Sequence, residues 1–218
     1  AVGNFELESV LDYLMKEVGA FVPGNVYVLF NSDDEAYVQF AKDHDRLYAD
    51  GTRMVQTSLS TAYDALTSNR NDILRVNAQG GHAMTSMWTI AKNRCHFISM
   101  SARGGSNGMG ARSRVTMGSS TVAADIAIMQ NTGVGNTFTG LKFDTSSVEA
   151  LSIWGVAEGG EYTIYRECEF YKSSDLAVTL SAELLENGDS CQYIDCSLGS
   201  LANAVSTGII HPCVEFKR

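Results

Sequence analysis

"YTIYRECEFYKSS", residues 162–174, is answered further along the chain by "SCQYIDCSLGSL", residues 190–201. Both place a tyrosine, an acid and a cysteine in the same order, with an apolar residue two places after the cysteine. The register extends towards the N-terminus. An aromatic column reads Phe97, Phe138, Tyr165, Tyr193, and the next small or polar column reads Ser99, Gly140, Glu167, Asp195. An apolar column follows as Met100, Leu141, Cys168, Cys196, and the last is Ala102, Phe143, Phe170, Leu198. The steps from Leu141 to Cys168 and from Cys168 to Cys196 are nearly equal, while the step from Met100 to Leu141 is longer. Periods in the twenties point to stacked units that bury their inward faces only against one another. The longer step calls for an insertion, and "ARGGSNGMGARS" (102–113) supplies it.

Around this core of repeats the texture is β-rich. After about residue 72, short β-prone runs such as "SRVTMGSS", "NTFTGLKFDTSS" and "LSIWGVA" alternate with Gly, Asn and Ser clusters. The chain holds 20 glycines but only 2 prolines, so its bends rely on Gly, Asn, Asp and Ser. Upstream, "NFELESVLDYLMKEVG" (4–19) has Leu7, Val10, Leu11, Leu14 and Val18 at helical spacing, with Asn4 as cap and Gly19 as stop. "NVYVLF" (25–30) reads as a strand, 31–56 as a long polar loop, 58–69 as a second helix and 72–77 as a strand. The expected organisation is a helical arm (1–22), a strand, acidic loop and capping helix (23–71), and stacked coils (72–218).

Composition narrows the function. A 44% hydrophobic share over 218 residues allows a full core, and 19% charged residues argue against disorder. A net charge of −9 disfavours a nucleic-acid surface, which needs clustered Lys and Arg. No apolar run approaches the roughly 20 residues that cross a bilayer, so no membrane partner is expected. The five cysteines form no CxxC pair and read as buried, reduced thiols.

At this point the order of elements resembles a family. "NVYVLF", "SLSTAYDALTSN", "DILRVN", "WTIAKNRCHFISMSA" and "NTFTGLKF" follow the opening of right-handed parallel β-helix proteins of the pectin-lyase-like class, whose early helix plugs the first coil. The likeness is greatest to the β-helical structural proteins of tailed-phage virions, particularly head-associated ones. It implies an all-β solenoid with a helical arm and a capping helix. It also implies a capsid-decorating subunit, assembled in the host bacterial cytoplasm and working without a cofactor. The expected partners are its own copies, as a homotrimer, and a major capsid or other virion protein. The apolar face of the arm (Leu7, Val10, Leu11, Leu14, Val18) is the candidate assembly contact. The alternative is a β-helical polysaccharide lyase or glycoside hydrolase, since the fold hosts both kinds of protein.

Candidate chemistry is thin. "NSDDE" (31–35) offers oxygen ligands for calcium but lacks an EF-hand's glycine turn and distal glutamate, and reads as a solvated loop. His44, between Asp43 and Asp45, reads as a surface histidine; His82, His96 and His211 show no metal-ligand spacing. "RGGSNGMGAR" (103–112) lacks the Lys-Ser/Thr ending of a phosphate loop. An enzyme would draw on acids of the coil surface, Glu158, Glu161, Glu167, Glu169, Asp189 and Asp195, with Arg166 beside them. No catalytic or metal site is therefore expected. Phe97, Phe138, Tyr165, Tyr193, Met100, Leu141, Cys168 and Cys196 are expected to form a structural ladder.

Overall fold

Each strand of the coils hydrogen-bonds, in parallel, to the strand one coil earlier. The computed structural model describes residues 24–31, 35–77, 82–100, 113–117, 127–145, 154–172, 182–198 and 214–216. The helical arm, the 103–112 glycine segment, His211 and Cys213 lie outside them. Among the described residues the first elements are β1 (Val26–Leu29), α1 (Glu35–His44), β2 (Val55–Gln56) and α2 (Leu59–Ala65). The first coil is β3 (Ile73–Val76), β4 (His82–Met84) and β5 (Trp88–Ile90). The second is β6 (His96–Ser99), β7 (Ser113–Met117) and β8 (Ala127–Asn131). The third is β9 (Thr137–Thr139), β10 (Leu141–Thr145) and β11 (Trp154–Glu158). The fourth is β12 (Ile164–Arg166), β13 (Glu169–Lys172) and β14 (Ala182–Glu186), and the fifth β15 (Gln192–Ile194), β16 (Ser197–Leu198) and β17 (Val214–Phe216). Stacking the coils builds a seven-stranded sheet, which β1 and β2 extend, and two five-stranded sheets. This is a parallel β-helix.

The aromatic column is the spine of the interior. Phe97 pairs with Phe138, Phe138 with Tyr165 and Tyr165 with Tyr193. Their rings stack 4.9, 4.8 and 5.1 Å apart, within 11° of parallel. Leu74 and Tyr27 continue the column towards the N-terminus. The spacing is close to the roughly 4.8 Å between hydrogen-bonded strands, so backbone pairing and ring contact are satisfied together.

The second coil departs from the sequence register. β6 ends at Ser99 and the next strand, β7 of a five-stranded sheet, starts at Ser113, so Ser113 and Val115, not Met100 and Ala102, lie beside Leu141 and Phe143. The insertion falls between two strands of one coil, inside the stretch that the repeat reads as continuous. Met100 instead packs outside the spine with Val28, Phe30 and Val55. That same outer cluster explains α1, which occupies the expected loop. Tyr37, Phe40 and Ala41, at helical spacing, lay an apolar stripe against it.

Bends recur at fixed places. Asn71, Arg94, Gly135, Tyr162 and Ser190 all have φ between 52° and 69°, each two positions before a strand of the large sheet. For the non-glycine residues the left-handed turn costs about 1 kcal/mol each. It is offset by a ladder of corner bonds: Arg94 N to Val134 O, Gly135 N to Glu161 O, and Tyr162 N to Asp189 O, at 2.8–2.9 Å. The polar column read from the sequence is the other corner, where Gly140, Glu167 and Asp195 also have positive φ.

The first coil is closed by α2. Ser58 caps it by accepting from Thr61 N, and Leu59, Ala62 and Leu66 enter the main core. Its C-terminal carbonyls are held by one ammonium: Lys92 Nζ donates to Tyr63 O, Asp64 O and Leu66 O at 2.6–2.9 Å. The positive charge also suits the negative end of the helix.

Removing one ring from the spine tests the register. Phe138→Ala should cost roughly 3–5 kcal/mol in urea unfolding, because Phe138 is fully buried between two rings. Met100→Ala, at a half-buried outer site, should cost clearly less. Equal costs would place the spine elsewhere.

Candidate functional site

A buried group of polar side chains ties successive coils together from the inside. At the end of the third sheet, Ile90, Asn131, Glu158 and Glu186 stand in one column. Seven positions after each comes a spine aromatic: Phe97, Phe138, Tyr165 and Tyr193. The intervening corner folds the two positions against each other. Where the aromatic carries a hydroxyl, its partner is a glutamate; where it is phenylalanine, the partner is Asn131 or Ile90.

Glu158 is 1% exposed. Its Oε1 accepts from Gly160 N at 2.6 Å and Asn131 Nδ2 at 2.9 Å. Its Oε2 accepts from Tyr165 Oη at 2.6 Å and Asn131 Nδ2 at 3.0 Å. Asn131 also donates to Thr163 Oγ1, and its own carbonyl accepts from Asn136. One coil on, Glu186 repeats the motif with Gly188 N and Tyr193 Oη. The glycines are required here. A Cβ on Gly160 would lie 2.2 Å from Gly133 O, and one on Gly188 would lie 2.5 Å from Gly160 O.

Burial, the largest influence, raises the Glu158 carboxyl above the usual range; its hydrogen bonds pull the other way, and the Glu186 charge raises it further. Burial also pushes Tyr165 well up. Around Glu158 and Tyr165 the group is sealed, while Glu186 and Tyr193 are half-buried; what it does chemically is lock one coil to the next.

The remaining candidates are dispersed. Glu158, expected on the surface, is inside, because the tyrosine hydroxyl needs an acceptor there. Glu161, Asp189, Asp195 and Arg166 are exposed, while Glu167 and Glu169 are half-buried. Glu161 pairs with Asp189 along the coil axis, so these like charges stack at a corner and do not face each other across a cleft. Among the described residues, no three His, Cys, Asp or Glu side chains form a metal-binding group. Of "NSDDE", residues 32–34 lie outside the described residues and Glu35 opens α1. His44 ends α1 and lies against Phe40. His82 is buried, and His96 Nδ1 contacts Thr137 Oγ1 at 2.8 Å.

Cys95, Cys168, Cys191 and Cys196 are free thiols. Cys168 is fully buried and Cys196 half-buried; their Sγ atoms donate to Phe138 O and Tyr165 O, each in the preceding coil. Burial pushes the Cys95 and Cys191 thiols up to about 11, away from the thiolate a nucleophile needs.

The glutamate lock has a sequence signal that the tyrosine–cysteine repeat does not capture. "NTG" (131–133), "EGG" (158–160) and "ENG" (186–188) each stand at the same short distance before a spine aromatic.

No protein-family model matches the chain, and a search of curated proteins finds no match. Similar solved structures include a pectin methylesterase point mutant in complex with a hexasaccharide, at 9% identity and a TM-score of 0.44 over 79% of this chain. They also include the deglycosylated pectin methylesterase from Aspergillus niger, at 12% identity and 0.47 over 90%. The chain spans 50% of the length of the first and 68% of the second. The parallel β-helix stands on the chain's own sheets, and nothing about substrate follows from this likeness.

Two outcomes test the lock. Tyr165→Phe should cost about 1–3 kcal/mol, since it leaves a buried carboxylate short of a donor. Adding Glu158→Asn, the pairing of the coil before, should recover part of that loss in a double-mutant cycle.

The second outcome is a pH dependence. A carboxyl raised on folding adds stability that is fully present below its unfolded value and is lost as pH rises through the folded one. Buried His82 and half-buried His96, whose ring pKa values desolvation lowers, act in the opposite sense. The difference between proteins therefore isolates Glu158: thermal midpoints measured from acidic to neutral pH should fall less steeply in Glu158→Gln than in the unmodified chain. Identical slopes would remove Glu158 from the account.

Proposed function

We propose that the chain is a non-catalytic structural subunit of a tailed-phage particle, decorating or cementing the capsid. One observation carries the non-catalytic part. The Glu158 group is closed off from substrate and serves coil register, while exposed Glu161 and Asp189 stack as like charges along a corner. Glycoside hydrolysis needs two carboxylates flanking a substrate bond, one of them an acid with a raised pKa. Among the described residues the raised carboxyls are those of Glu158, inside the coil, and Glu183, and both are buried. The particle assignment draws on the order of strand, capping helix and coils, which resembles that of virion β-helices. In this reading the arm, through Leu7, Val10, Leu11, Leu14 and Val18, attaches the coils to a capsid protein.

The polysaccharide-acting alternative predicts a different result in one assay. Incubated with surface polysaccharide from the bacterial host, the chain should release no oligosaccharide, and mass spectrometry should find it in purified particles. Oligosaccharide release that is lost on Glu161→Gln or Asp189→Asn would replace the structural reading with an enzymatic one.

A further inference from the structure

The outward face of the large sheet differs in character from the rest of this acidic chain. Its two outward columns carry Ile73, Ile98, Ile164 and Ile194 with Thr137 and Thr139 at the centre, beside His96 and Gln192. The isoleucines and threonines are half-buried. Among the described residues of β3, β6, β9, β12 and β15, no outward position holds an acid, and Arg75 and Arg166 are its cations. The corners flanking the face are polarised along the coil axis. Arg75 lies in the first coil and exposed Arg94 enters the second, whereas exposed Glu161, Asp189 and Asp195 belong to the fourth and fifth, where their three charges outnumber that of exposed Arg166.

We infer that this face is a self-contact, through which two copies pair with their coil axes antiparallel. A twofold axis along the strand direction, through the third coil, brings first coil to fifth and second to fourth while keeping each column opposite itself. Arg75 then meets the Ile194–Asp195 edge of the other copy, and Arg94 meets its Tyr162 and Glu161. Thr137 and Thr139 meet their own counterparts. The contact is isologous, so each charge pair forms twice.

Tyr162 supplies an independent reason. It is 62% exposed and holds φ 54°, at a corner where the preceding coil has Gly135 and the following coil Ser190. Nothing in the coil itself calls for a tyrosine ring there. Opposite Arg94, the ring face receives a guanidinium. The other twofold, parallel to the coil axis, sets the acidic fourth and fifth coils of both copies together and is repulsive. A threefold arrangement of parallel chains meets the same objection where it uses this face.

The face is small. Five strands at about 4.8 Å and three residues at about 3.3 Å span roughly 24 by 10 Å. That is below the roughly 800 Å² per partner of a standard interface, so the pair is weak and oriented by charge. It goes beyond the proposed function, and stands or falls separately from the polysaccharide assay.

Sedimentation equilibrium of the full chain should show a monomer–dimer equilibrium at low ionic strength that shifts to monomer as salt rises. Arg75→Glu with Arg94→Glu should weaken it roughly tenfold or more, as should Glu161→Arg with Asp195→Arg. Mixed together, the two double variants should form a heterodimer that neither forms with itself. Tyr162→Gly, which copies the corner of the preceding coil, should weaken the dimer without lowering the thermal midpoint. A monomer at every concentration in low salt would overturn the inference, as would a dimer indifferent to charge reversal or to Tyr162→Gly. So would reversed variants that fold and do not pair.

Discussion

Everything in this molecule depends on one coincidence of lengths. Parallel strands repeat at nearly the distance at which aromatic rings stack, so a ring placed at the same point of successive coils meets its neighbour without adjusting the backbone. Phe97, Phe138, Tyr165 and Tyr193 occupy that point. Because side chains alternate across a strand, a slip of one residue would turn these rings outward and bring Ile98, Thr139, Arg166 and Ile194 into the core. The spine therefore fixes the register of all three sheets, including the corners between them.

That arrangement creates a problem in the later coils, where tyrosine replaces phenylalanine. A buried hydroxyl without a partner is costly, and a buried carboxylate more so. Joined, they satisfy one another: Glu158 accepts hydrogen bonds from Tyr165, from the Gly160 amide and from Asn131. Fully satisfied polar groups of this kind favour one register over its neighbours, since any slip strands them. The exposed acids have no such role, which is why the same residue type sits both sealed within the coil and out at its corners.

Much of this was legible in the sequence. The tyrosine–cysteine repeat located the spine because both coils it came from keep the strand–corner–strand passage free of insertions. The same reasoning failed at Met100. There β6 ends at Ser99 and the next strand, in a different sheet, starts only at Ser113, so the register could not be carried across. The helix α1 was missed because its stripe is only Tyr37, Phe40 and Ala41, set among polar residues; its partners come from β1 and β2, on either side in the chain. Glu158 was misplaced for a similar reason. Its burial follows from the hydroxyl of Tyr165 across the corner, and a surface acid has the same letter as an interior one. The tight glycines two positions after Asn131, Glu158 and Glu186 were the available clue.

The spine also bears on how the chain reaches this state. Each ring finds its partner one coil back: Phe138 meets Phe97, Tyr165 meets Phe138, and Tyr193 meets Tyr165. The closure from Phe97 to Phe138, lengthened by the excursion after Ser99, costs only roughly 0.4 kcal/mol more in loop entropy than the two later ones. No ring has to search beyond the neighbouring coil, and contacts of limited sequence separation speed folding. The plugging helix and the lysine that holds its carbonyls both lie before the second coil. A chain leaving the ribosome thus has a closed first coil to build on, and each later coil needs only the one already in place. The molecule can fold in the direction in which it is made, as a growing stack whose exposed edge is always its newest strand.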